Sequence, residues 1–207
     1  MGGLTVEIPD AHRAALDKLA PIVGKDCYLV GGVALAAHFH HRMSRDLDLF
    51  TPTDPTHLQF DLEQLPGVTV EGRSGMTLHL RVDGIPVSLI SYRYPLLEPA
   101  VPIAQLPIPV AAIGDLACMK LSAIASRGAA RDFWDLHTII GATGLALGHY
   151  LAEFRRKYPV EDIGHVIRSL VYFGDADAAP LPSGLTADAW DAIRNDLETW
   201  TRAIAAP

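Results

Sequence analysis

Two aspartates, Asp46 and Asp48, stand one residue apart in DLDLF (46–50), a run whose other members are apolar. On a strand, alternate side chains share a face, so both carboxylates lie on one side while Leu47 and Leu49 enter the core. Their Cα atoms are then about 6.5–7 Å apart. Carboxylates at that spacing can converge on divalent ions about 3.5–4 Å apart, as two-metal phosphoryl transfer requires. Mg²⁺ takes one or two carboxylates and completes its shell from water and substrate phosphates, so a full protein cage is not needed. Alone, the pair fits equally well a solvent-facing edge strand with two solvated acids.

The residues just upstream suit a phosphate. CYLV (27–30) reads as a short buried strand, Gly31-Gly32 punctuates it, and VALAAHF (33–39) has helical composition. Glycines opening a helix let an anion approach free backbone N–H groups and the positive end of the helix dipole. The pattern is neither the dinucleotide fingerprint nor the phosphate loop with its lysine. A short basic segment with Arg42, Ser44 and Arg45 joins this unit to the aspartates. His38, His40 and His41 lack an i, i+4 pair and a nearby cysteine, which argues against zinc; they read as loop histidines beside a phosphate site.

The elements that must position these residues follow from periodicity. Residues 8–20 read as an amphipathic helix. Residues 46–50 form the second strand, and 54–65 suit a helix with Asp54 as N-cap and Pro55 in the first turn. VTVEG, TLHLRV and IPVSLIS follow as strands, the last two joined by a tight turn at Asp83-Gly84. The proline-rich stretch between Tyr92 and Val110 reads as an extended connector and not a core element. Residues 112–127, 131–141, 147–157, 161–172 and 186–204 then read as helices. The expected organisation is an α/β (α+β) domain over 1–95, a connector over 96–110 and a helical domain over 111–207 that completes the site.

Composition narrows the class. The chain has 207 residues, 49% hydrophobic, enough for one core or two small packed domains. Its net charge of −7 disfavours a protein whose main task is coating nucleic acid, though a nucleic-acid substrate gripped by a local patch remains compatible. Arg155-Arg156-Lys157 reads first as a solvated helix face. No apolar run approaches the roughly 20 residues of a membrane span, and the start lacks signal-peptide order. Cys27 and Cys118 do not suggest a disulfide framework. A cytoplasmic enzyme or binding protein is expected.

Taken together, LVGGVALAAHFHHRMSRDLDLF (29–50) resembles the signature of the DNA polymerase β-type nucleotidyltransferases, two small residues opening a helix and then D-x-D on the next strand. More narrowly, its arginine–x–serine–x–DLDLF ending resembles the AbiEii/AbiGii toxin-like family. GDLACMKLSAIASRGAARDFWDL (114–136) is similar to that family's later segment, a lysine on a helix, then an arginine, then R/K-D-x-x-D-L. The resemblance implies the polymerase β-type mixed sheet followed by a helical domain. It places Gly31 and Gly32 at the triphosphate, with Arg42 and Ser44 among the nucleotide-binding residues, and Asp46 and Asp48 at Mg²⁺, or Mn²⁺ in its stead. Lys120 would neutralise phosphate charge, Asp132 would be the later catalytic acid or base, and Arg127 and Arg131 would contact nucleotide or acceptor. The implied reaction moves a nucleoside monophosphate from an NTP to an RNA (tRNA) or protein acceptor, in a toxin–antitoxin setting with an antitoxin partner.

One position departs from the pattern. Many polymerase β-type enzymes carry a third carboxylate on a neighbouring strand, and here IPVSLIS offers Ser88. A catalytically degenerate nucleotide- or partner-binding member of the fold is therefore the alternative. A D-x-D glycosyltransferase would leave the Gly-Gly helix and the Lys120–Asp132 segment unexplained. Trp134, Trp190 and Trp200 read as core anchors.

Overall fold

The computed structural model describes residues 8–104 and 106–205. The chain divides into two compact units, Met1–Ala112 and Ile113–Pro207.

The first unit opens with helix α1 (Asp10–Val23), which buries Ala15, Leu16, Leu19 and Val23. The helix runs on through Pro21, which falls in its last turn, about a turn beyond the end expected at residue 20. Strand β1 (Tyr28–Val30) leads directly into helix α2 (Gly31–Phe39), and β2 (Leu47–Thr51) follows. Asp54 accepts a hydrogen bond from the Thr56 amide at 2.9 Å and Pro55 comes next, as expected. The predicted helix here is broken into a 3₁₀ turn (Pro55–Leu58) and the short α3 (Gln59–Glu63). Strands β3 (Val68–Ser74), β4 (Thr77–Val82) and β5 (Ile85–Ser91) complete a five-stranded sheet in the order β1-β2-β5-β4-β3. Asp83 and Gly84 both take positive φ, 48° and 86°, the two-residue geometry that matches the twist of a hairpin.

The sheet is mixed. β2 pairs with β5 in parallel, and the remaining neighbours are antiparallel. Period-two burial is plain across it: Leu47, Leu49, Leu78, Leu80, Val82, Val87 and Leu89 are buried, while Asp48, Ser88 and His79 on the opposite face are half-buried. Asp48 sits across from Ser88, and Ser88 across from His79.

The proline-rich stretch is not the bare connector its composition predicts. Ile108, Val110 and Ala111 are buried. The Leu29 amide donates to the Pro109 carbonyl at 2.8 Å and the Ala111 amide to the Leu29 carbonyl at 3.0 Å, so this segment runs beside β1. Prolines prevented a continuous strand, but the non-proline amides between them still found ladder partners.

The second unit is helical: α4 (Ile113–Arg127), α5 (Ala130–Thr143), α6 (Leu147–Lys157), α7 (Gly164–Ser169), α8 (Gly174–Asp177) and α9 (Ala187–Ala205). The helix expected over 161–172 is shorter, and α8 has no signal in the sequence because four residues carry no helical period. Trp190 is buried against Phe133 and Phe173, whereas Trp134 and Trp200 are only half-buried. Cys27 and Cys118 are free and buried, each thiol pushed up to about 12 by burial. Among the described residues, no helix is long and apolar enough to cross a membrane.

Candidate active site

In the sheet unit, the turn from β1 into α2 gathers most of the expected nucleotide site. Gly31 has φ +73°, a conformation that glycine adopts at no steric cost. A Cβ built on it would collide with the Asp48 carboxylate. Gly32 is as crowded: a Cβ there would meet the Ser44 hydroxyl and the Arg42 guanidinium. Gly31, Gly32, Arg42, Ser44 and Asp48 are thus in one place, although 17 positions separate the first from the last. The glycine pair is required by side chains from the next strand and its leading loop, in addition to any anion.

Asp46 lies one residue before β2 and is exposed. His12 on α1 donates through Nε2 to the carbonyl of Arg45 at 3.0 Å, which ties that helix to the loop leading into the two aspartates. His12 is not among the residues that motif spacing marks, and its only signal is its place on the buried stripe of α1. The histidines divide. His38 is in α2 and is not a loop residue; burial holds its imidazole below the usual range, against a smaller opposing effect of the Ala111 backbone. His40 caps α2 in the left-handed conformation. No group of three or more His, Cys, Asp or Glu among the described residues is arranged to hold a metal.

The helical unit carries a second constellation. Lys120 on α4 is buried and its ammonium contacts Asp132 at 3.0 Å and Asp135 at 2.6 Å. Arg127, at the end of α4, grips Asp132 with two hydrogen bonds, Nε to Oδ2 at 2.7 Å and Nη2 to Oδ1 at 2.8 Å. Both aspartates are completely buried. Burial alone would raise the Asp132 carboxyl, but the Arg127 hydrogen bonds and the Lys120 charge outweigh it and hold it below the ordinary carboxylate value. A carboxylate so held is a weak proton acceptor until Arg127 lets go. The Arg127 side chain is 52% exposed, so its guanidinium can be drawn to an incoming anion, whereas Lys120 is 8% exposed and more firmly held. Arg131 is exposed. Asp135 received no role from sequence, although its i, i+3 spacing from Asp132 puts both acids on one helix face.

A mixed sheet with a glycine-opened helix, an aspartate packed against it and a following helical unit is the architecture that the nucleotidyltransferase resemblance implies. The chain belongs to the AbiEii family: the model for "Nucleotidyl transferase AbiEii toxin, Type IV TA system" matches residues 15–78 and 78–203. An uncharacterized protein of Aquifex aeolicus (strain VF5) is 38% identical over 170 residues, 80% of this chain and 82% of that one. Among solved structures, MenT4, a nucleotidyltransferase toxin from Mycobacterium tuberculosis, superposes with a TM-score of 0.62 at 20% identity, covering 93% of this chain and 82% of its own. A protein of H. pylori assigned to the nucleotidyltransferases gives 0.52 at 18% identity, covering 94% and 92%. At these identities the two structures attest the fold.

Proposed function

We propose that this chain transfers a nucleoside monophosphate from an NTP to an RNA (tRNA) or protein acceptor, as the toxin of a toxin–antitoxin pair. The observation that carries this reading is the close approach of the Asp48 carboxylate to Gly31 at the N-terminus of α2, where a triphosphate and a metal would meet. Mg²⁺ fits the donor set: two hard carboxylates, Asp46 and Asp48, with the substrate's own oxygens to complete the shell. When bound, the ion would neutralise developing charge on the phosphates. Gly31 and Gly32 offer backbone N–H groups to the triphosphate, and Arg42 and Ser44 bind beside them. The acceptor oxygen bonds the α-phosphorus, the bond to the bridging oxygen breaks, and pyrophosphate departs with that electron pair. Lys120, Arg127 and Arg131 are assigned to the phosphates or the acceptor. Asp132 takes up the hydroxyl proton once Arg127 has released it. The sheet unit is read as the nucleotidyltransferase domain and the helical unit as the source of these later residues.

The test is incubation with Mg²⁺ and each labelled NTP against total RNA and lysate protein. Label should reach one acceptor class, and Asp46→Asn and Asp48→Asn should each abolish it while keeping the fold. Mg²⁺ with NTP should raise the melting temperature more than either alone. Retained transfer in either variant would overturn the metal assignment. Ser88 opposite Asp48 favours the second reading, a non-catalytic binder; it would stand if NTP binds and no acceptor is ever labelled.

A further inference from the structure

The face that carries Asp48 continues past it. Val30 pairs with Asp48 and Tyr28 with Phe50, so alternation places Phe50 on the same side as Asp48, and Ile90 on the same side as Ser88. Beyond these residues the rings form a ladder. Tyr92 stacks on Phe50 with centroids 4.2 Å apart, Tyr28 meets Phe50 edge-on at 6.0 Å, and Tyr94 meets Tyr92 edge-on at 5.4 Å. A cavity of about 670 Å³ opens beside the ladder, walled by Tyr28, Tyr92 and Tyr94 together with Lys25, Asp26 and Arg93. That volume is typical of a small-ligand site.

The cavity has its own chemistry, separate from the Gly31–Asp48 corner. Pro52 on its wall is four residues beyond Asp48, about 13 Å along the strand direction. Tyr94 is 46% exposed and ends the ladder. Two exposed cations against one carboxylate make the rim locally positive on a chain whose net charge is −7. An aromatic ladder accepts any nucleobase by its π-face, and neighbouring cations take the adjoining phosphate.

We infer that this cavity binds one unpaired nucleotide, its base against the tyrosines and its phosphate at Lys25 and Arg93. The nucleotide belongs either to an unpaired strand or to a free mononucleotide. A strand bound here would lie on the Asp48 face and could lead toward the transfer site; that last step rests on the function proposed above, whereas binding in the cavity does not.

The test uses the full chain without divalent metal, a labelled unpaired oligoribonucleotide, and AMP as competitor, read by fluorescence anisotropy. Tyr94→Ala and Arg93→Glu, both at exposed positions, should each weaken binding about tenfold while keeping the melting temperature and its shift with Mg²⁺ and NTP. Asp48→Asn should keep oligonucleotide binding, so loss of transfer and loss of the cavity site are read separately. Displacement by AMP supports the inference with a free nucleotide as ligand; oligonucleotide binding that AMP does not displace supports it with a strand. Wild-type affinity in both cavity variants, or no binding of either probe, would overturn it. So would a concentration-dependent dimer abolished by the same substitutions in a chain that binds neither probe, which would make this face a contact between copies.

Discussion

Asp48 on β2 stands directly across the parallel pair from Ser88 on β5. A side chain at 88 therefore projects beside the carboxylate assigned to the metal, and its hydroxyl supplies no charge there. This one position separates a two-carboxylate site from a three-carboxylate one.

Ser88→Asp should accordingly tighten Mn²⁺ binding, measured by calorimetry, because a third hard donor joins the pair. Without metal the same substitution places like charges opposite each other and should cost about 1 kcal/mol at most. Unchanged Mn²⁺ affinity would show that residue 88 does not face the ion.

Gly31→Ala should be costly although it adds only a methyl group. Its φ of +73° disfavours any L-residue by about 1–2 kcal/mol, and the new Cβ would displace the Asp48 carboxylate. The expected result is a lower melting temperature together with loss of the Mg²⁺–NTP shift. A variant that keeps both would remove the reason for glycine at this turn.

Asp132 makes stability pH-dependent in a defined direction. Its folded-state pKa is lowered, so its contribution is complete above the unfolded value of about 3.9 and is lost as pH falls through the lower folded value. Asp132→Asn should cost about 2–3 kcal/mol at neutral pH, less than breaking a wholly uncompensated buried pair, since Asp135 still holds Lys120. It should also flatten the acid limb of a melting-temperature titration. Nucleotide binding separates the structural role from the catalytic one: a lost transfer activity with binding kept in the folded variant supports the catalytic assignment.

Asp115 and Lys157 form a salt bridge of 2.5 Å with neither side chain exposed, linking α4 to α6. Lys157→Met alone removes the ion-pair partner of a buried carboxylate and should cost about 3–5 kcal/mol, whereas Asp115→Leu with Lys157→Met should recover most of that loss. Denaturant unfolding of the double-mutant cycle measures the coupling; additive losses would show that the pair is not an energetic unit.

Arg155, Arg156 and Lys157 illustrate why some positions were legible and others were not. Arg155 and Arg156 are exposed, as a basic run at a helix end predicts, but Lys157 is completely buried because Asp115, 42 positions earlier, awaits it. The same limit applied at Lys120. Its neighbours identified an apolar helix face, while its two aspartate partners became visible only when α5 was placed.

Local periodicity, turn chemistry and motif spacing determined much by themselves. The strands TLHLRV and IPVSLIS, the Asp83-Gly84 hairpin, the Asp54 cap and the order of an α/β part before a helical one are properties of short segments, set by backbone sterics and alternation. Tertiary structure decided what depends on distant residues meeting. It recruited the Ile108–Ala111 stretch beside β1, seated Asp48 against Gly31, crowded Gly32 with Arg42 and Ser44, and placed Tyr92 on Phe50. Each of these is a contact between segments whose separate sequences carry no record of the other. Their burial and charge pairing exist only once the sheet register and the helix packing have brought them together.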